Sequence, residues 1–265
     1  HDPSPFINHV HYGVFLAVTS ILLLKYITDP LISKTPKLIL SIFFLFTVVV
    51  LFINAGRTGQ IVFIAGIFVF FISQYGFDWK KISVFIISFM IFLTIAYSVS
   101  PVFNKRVNAI VASIPQIQNG NYKVELGYRL ALKIASVPVI GDHIITGTGI
   151  GDEMDVFHRE STRLKSVTKT FGHLHDQYLQ ILLQTGLLGF IPFLMFIISL
   201  FREKYFDHTY RSVLFGTLGI FLLASVADLT LRTTLAALFS FTFALFYTAA
   251  KMEPVKEDII DQKKI

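Results

Sequence analysis

The chain has 265 residues, 54% of them hydrophobic and only 15% charged, with a mean hydropathy of +0.65, whereas a soluble domain carries about 25% charged residues; a soluble enzyme is excluded and a membrane protein is indicated. No cysteine is present, so disulfides, thiolate metal sites and cysteine nucleophiles are excluded together. The net charge of +6 suits anionic lipid head groups and lipid-linked phosphates, and membrane embedding sets nucleic acid aside.

Apolar runs near the roughly 17 to 25 residues that cross a bilayer core recur along most of the chain, which a single cleaved signal peptide does not explain. His1 to His11 is polar and kept from helix by Pro3 and Pro5, and because it starts on His it reads as the opening of the C-terminal part of something longer. Val10–Ile27, Leu38–Ile53, Ile61–Tyr75 and Ile82–Val99 read as spans one to four. Pro101 to Leu174 is a long polar segment. Asp176–Leu200, Ser212–Ala227 and Thr233–Ala249 read as spans five to seven, followed by a charged tail. The expected fold class is therefore all-α, a polytopic transmembrane helix bundle of about seven spans with amphipathic helices in its long loop. Its expected divisions are residues 1–100 for spans one to four, 101–174 for the long loop, 175–250 for spans five to seven and 251–265 for the tail. Lys34, Lys37, Lys80, Lys81, Arg202, Lys204, Arg211 and Lys251 all fall on one side of this alternation. Lys and Arg are retained in the cytoplasm, so the Arg57 turn and the long loop are expected on the opposite face.

Several residues on that outer face carry candidate chemistry. Arg57 sits in Asn54-Ala55-Gly56-Arg57-Thr58-Gly59 between two apolar runs. A cation at a helix centre costs roughly 2.5–3.5 kcal/mol on insertion scales, so Arg57 calls for an anion or water; the alternative is an interfacial anchor. Glu125 to Ile134 has Leu126, Leu130 and Ile134 on one helical face, beside Glu125, Arg129 and Lys133. Arg129 and Lys133, one turn apart, make a clamp for a diphosphate, unless Glu125 pairs with Arg129 at i,i+4. Gly147-Thr148-Gly149-Ile150-Gly151 lacks the Lys-Ser/Thr of a nucleotide loop and supports only a tight turn that approaches a ligand.

His175, at the mouth of the fifth span, can accept a proton from a hydroxyl at physiological pH, with Asp176 or His173 orienting it or holding an acceptor sugar. A structural histidine is the alternative. Metal binding by His173 and His175 is a further alternative, but their i,i+2 spacing offers no common ligand face on a helix, so no metal is assigned. Asp228 and Arg232, at i,i+4, read as a mutual ion pair closing a helix end, without chemistry.

The Arg57 turn, the Gly147 to Gly151 run, and His173-Leu174-His175-Asp176-Gln177-Tyr178-Leu179-Gln180 followed by Gly186-Leu187-Leu188-Gly189 together resemble the O-antigen ligase / O-antigen polymerase superfamily of bacterial inner-membrane proteins. The resemblance implies a multi-pass glycosyltransferase of the inner membrane with its active site facing the periplasm. Its donor would be an undecaprenyl-diphosphate-linked glycan. A ligase passes the glycan to lipid A–core, a polymerase to another lipid-linked repeat unit, and a third kind to protein. The resemblance gives Arg57 and Arg129 the role of neutralising the diphosphate leaving group and His175 that of activating the acceptor hydroxyl, with no cofactor. Relatives often carry Asn where this chain has Asp176, and usually have more spans. Outside this class stands a transporter or flippase, whose charges would line a path through the spans; here they cluster on the outer side.

Overall fold

The computed structural model describes residues 8–54, 56–202, 208–231 and 234–252. The described residues form helices joined by turns, with no strand: α1 (His9–Thr28), α2 (Lys34–Ile53), α3 (Arg57–Tyr75), α4 (Trp79–Val99), α5 (Pro101–Gln118), α6 (Glu125–Asp142), α7 (Glu153–Glu160), α8 (Lys165–Thr168), α9 (Gln177–Arg202), α10 (His208–Ser225) and α11 (Thr234–Met252). The fold is all-α, as expected. Among the described residues, five helices are long and apolar enough to cross a membrane: α1 to α4 and Gln177–Phe201 of α9. Spans six and seven were expected on α10 and α11, whose apolar stretches Tyr210–Ser225 and Leu235–Leu245 are shorter. Most of the tail beyond Met252 lies outside the described residues.

The chain divides into two compact units. The first comprises His1–Phe103, Glu203–Ala224 and Thr233–Ile265, and the second Asn104–Arg202 and Ser225–Arg232.

In the first unit α1 packs against α2 and α3. Small residues permit this approach: a Cβ on Gly59 would stand 2.4 Å from the Gly13 Cα, so α1 and α3 meet backbone to backbone, as membrane helices do where side chains are absent. Val14, Ala17, Val18 and Ile21 of α1 then bury against Leu51, Phe52, Val62 and Phe63. Asn54, which ends α2, donates from Nδ2 to the His9 carbonyl at 2.9 Å and ties the α2–α3 turn to the start of α1. By contrast α4 buries only Ile82, leaving Val84, Ile86, Ile87, Met90 and Ile91 outward, which is the surface a lipid-facing span presents.

The second unit is built on a break in α9. Gly186 has φ 58° and ψ −156°, a conformation essentially confined to glycine, and it splits the helix into two segments. A break of this kind frees backbone donors and acceptors that a lipid environment cannot satisfy. The Ile144–Gly149 strand of loop supplies the partners. Leu187 and Leu188 donate their N–H groups to the carbonyls of Ile144 and Ile145 at 2.8 and 3.2 Å. In return the carbonyls of Leu183 and Gln184 accept from the N–H groups of Thr148 and Gly149 at 2.8 and 3.0 Å, and the Thr148 hydroxyl adds a second bond to Leu183 at 2.9 Å. The glycine-rich run expected to approach a ligand thus approaches another part of the chain. A Cβ on Gly147 would lie 2.4 Å from the Gln184 carbonyl carbon, and one on Gly186 would lie 2.4 Å from the Ile145 oxygen.

The amphipathic helix expected from Glu125 to Ile134 is α6, and its buried face is made of Gly127, Ala131, Leu132, Ala135, Ser136, Val139 and Ile140, while Leu126 and Leu130 stay exposed. Small side chains are what allow α6 to lie close against α8 and α9.

Gly186→Ala should destabilise the protein by roughly 1–3 kcal/mol from backbone strain, and more from the collision with Ile145. Gly141→Ala, in a helix with open space around it, should be neutral or stabilising by up to about 1 kcal/mol. Thermal unfolding of the two detergent-purified variants checks this pair. Equal stability of the two would mean that the break is not built as described.

Candidate active site

Most of the candidate residues named above sit where α6, the loop before α9 and the turn after α10 converge in the second unit. Asp176 occupies the N-terminal end of α9. Its Oδ1 accepts from the N–H groups of Tyr178 and Leu179, both at 3.0 Å, and so caps two donors that the first helical turn leaves open. Its other oxygen meets Lys133 of α6 at 2.5 Å, with the carboxylate side chain only 7% exposed. Lys133 also donates to the Val226 carbonyl at 2.8 Å, which ties α6 to the turn after α10. Both residues, expected among the substrate contacts, are thus engaged with each other and with the scaffold. An asparagine here would supply the same cap.

His175 adopts the left-handed conformation, φ 52°, which is uncommon for a residue with a Cβ and is held here from several directions. On one side, the N–H of Leu174 donates to Gln180 Oε1 at 3.0 Å, and Gln180 Nε2 in turn donates to the buried Glu153 at 3.1 Å. Glu153 also accepts from Gln184 Nε2 at 2.8 Å and from the Gly151 N–H at 2.7 Å. This carboxylate therefore links the glycine loop, α9 and the histidine loop. On the other side, Gln177 Oε1 accepts the Leu231 N–H at 2.9 Å and holds the 228–231 turn to the start of α9. Phe171 meets the His175 ring edge to face, with centroids 5.8 Å apart.

The partner of His175 is Asp228. The Nδ1 atom stands 3.4 Å from Asp228 Oδ1, an ion-pair approach slightly longer than a good hydrogen bond, with side chains 25% and 12% exposed. Burial alone would raise the Asp228 carboxyl, but the close approach of the His175 ring, the Leu229 N–H at 2.9 Å and the field of the nearby imidazoles together hold it below the usual carboxylate range. The expected pairing of Asp228 with Arg232 involves a residue outside the described ones; among the described residues the charged partner beside Asp228 is His175. Nothing in the local sequence signals the pair, since 53 positions separate its members. The helix-face argument against a joint role for His173 and His175 also fails. The two residues lie in a loop and not on a helix, and the left-handed turn brings their rings to 4.0 Å between centroids. His173 Nδ1 accepts the His175 N–H at 3.3 Å.

Arg129, one turn before Lys133, is half-buried, and no ion pair joins it to Glu125 or to any other described acid. The i,i+4 pair weighed against its functional reading is absent among the described residues. Arg57 lies in the first unit as the first residue of α3, after Gly56, whose Cβ would stand 2.2 Å from the His9 carbonyl oxygen. Its side chain is half-buried.

A multi-pass α-helical membrane protein with a histidine–aspartate dyad at a helix mouth is the class these features define. The model of the O-antigen ligase family matches residues 42–194, more than half of the chain, and the chain belongs to that family. It is also similar to an uncharacterized protein of Haemophilus influenzae, 31% identical over 126 residues that make up 45% of this chain and 31% of the relative. The chain thus matches less than a third of that relative's length.

Asp176→Asn should keep the cap and unfold less readily than Asp176→Ala, which loses it at a cost of about 0.5–2 kcal/mol. Because the folded Asp228 carboxyl lies below its unfolded value, its contribution to stability is present at neutral pH and is lost as pH falls through the folded pKa. Asp228→Asn should therefore flatten the acid limb of a stability–pH profile measured by thermal unfolding. An unchanged acid limb would count against the dyad.

Proposed function

We propose that this chain carries the active site of an O-antigen ligase-type glycosyltransferase on the periplasmic face of the bacterial inner membrane. It transfers a glycan from undecaprenyl diphosphate to lipid A–core by metal-independent displacement. The observation that supports this most is the His175–Asp228 dyad in a chain of the O-antigen ligase family.

In this reading His175 keeps its proton on Nδ1, directed toward the Asp228 carboxylate, which leaves the Nε2 lone pair to accept the proton of the acceptor hydroxyl. The acceptor oxygen attacks the anomeric carbon while the bond to the lipid diphosphate breaks, and the diphosphate leaves with that electron pair. Arg57 and Arg129 stabilise the charge that develops on it, guanidinium forks being suited to paired phosphate oxygens. His173 borders the acceptor, and Lys133 with Asp176 holds the mouth of α9 in register. Direct displacement from the side opposite the leaving group inverts the anomeric centre. Seven spans, with the loop from Pro101 to Leu174 outside, complete the proposed topology.

His175→Ala should lower transfer by about 10²–10⁴-fold in a membrane assay with purified donor and acceptor, while the protein still inserts and binds donor. Arg57→Lys keeps the charge but not the fork, and should lose most activity through weaker donor binding. Transfer should survive chelation of divalent cations. Near-normal transfer by His175→Ala would return the histidine to a structural role. Lipopolysaccharide from a deletion strain separates acceptors: a core without long glycan marks a ligase, and a core with a single repeat marks a polymerase.

A further inference from the structure

His173, His175 and Asp228 each offer one ligating atom, and these atoms all lie within 4.8 Å of one another. Two imidazoles and a carboxylate form a donor set suited to zinc and its neighbours in the first transition row and poorly suited to magnesium, which prefers oxygen ligands alone. The spacing agrees with the chemistry. Two ligands bound tetrahedrally at 2.0–2.1 Å from zinc lie about 3.3–3.4 Å apart, and His175 Nδ1 stands 3.4 Å from Asp228 Oδ1. The His173 ring lies beside the pair at 4.0 Å between centroids. The loop is pinned on both flanks by the Leu174–Gln180 and Gln177–Leu231 bonds, so little reorganisation is needed to close three ligands on one ion. Partial exposure of His175 and Asp228 leaves an entry path and a fourth position for water.

We propose that this cluster is a capture site for Zn²⁺ and that occupancy silences the transferase. A bound ion takes the carboxylate that orients His175 and takes an imidazole lone pair, so the ring can no longer accept the acceptor proton. The inhibitory half rests on His175 being the general base; the binding half does not. The metal is here an inhibitor, and the transfer chemistry stays metal-free.

The test starts from the full chain purified in detergent and stripped of metal by a chelator. Co²⁺, a spectroscopic substitute for Zn²⁺, should give the visible absorption of a four- or five-coordinate site at one ion per chain, and Zn²⁺ should displace it while Mg²⁺ should not. His173→Ala, His175→Ala and Asp228→Asn should each weaken Zn²⁺ binding by more than about tenfold, since even outer-shell partners are worth 10–100-fold. The wild-type spectrum needs no variant, so a variant that folds poorly does not remove the test. Wild-type transfer should fall on adding Zn²⁺ and recover with chelator. Absence of the Co²⁺ spectrum, or binding that persists unchanged in all three variants, overturns the site. Binding at the cluster with transfer unaffected overturns the inhibitory half and the general base with it, whereas normal transfer by His175→Ala overturns the base alone.

Discussion

A membrane helix cannot be interrupted without partners for the backbone groups that the interruption exposes. In this protein those partners are the carbonyls of Ile144 and Ile145 and the N–H groups of Thr148 and Gly149, exchanged with α9 across the Gly186 break. The rest of the second unit follows from that exchange. It brings the glycine loop against α9, which places Glu153 within reach of Gln180 and Gln184. Gln180 then fixes the backbone next to His175. A buried carboxylate would be costly alone, but three donors around Glu153 convert it into a junction.

Two further carboxylates, Asp176 and Asp228, flank the histidine loop and are kept in separate roles by their partners. Asp176 faces a lysine and a helix N-terminus, both of which favour its charge and neither of which involves the histidine. Asp228 faces His175. The sequence neighbour of the histidine thus bonds to α6 and to the first turn of α9, and the acid beside the ring comes from a distant turn. With the left-handed backbone at His175, the ring lies beside that of His173 and next to that turn.

Much of the fold was legible because apolar length is a strong signal: α1 to α4 and α9 all fall where continuous apolar runs predicted spans. The motif residues were legible too, since Gly147, Gly186 and the histidines stand out by type. Their connections were not. That two glycine runs nearly forty positions apart dock into one joint is a matter of backbone hydrogen bonds, which side-chain types do not encode locally. The approach of Asp228 to His175 was not legible, because a sequence displays i,i+4 pairing and not a contact across 53 positions. The helical pattern of α6 was legible from Leu126, Leu130 and Ile134, but which other face packs inside the unit, with Gly127, Ala131, Leu132 and Ala135, depends on partners distant in sequence.

In the proposed chemistry Asp228 sets the tautomer of His175. Nitrogen NMR of protein labelled at its eight histidines, with His175 assigned by difference from His175→Gln, reads that tautomer directly. At neutral pH the account predicts that His175 carries its proton on Nδ1, toward Asp228, with Nε2 unprotonated, and that Asp228→Asn abolishes this preference. A His175 protonated on Nε2 in the wild-type protein would contradict it.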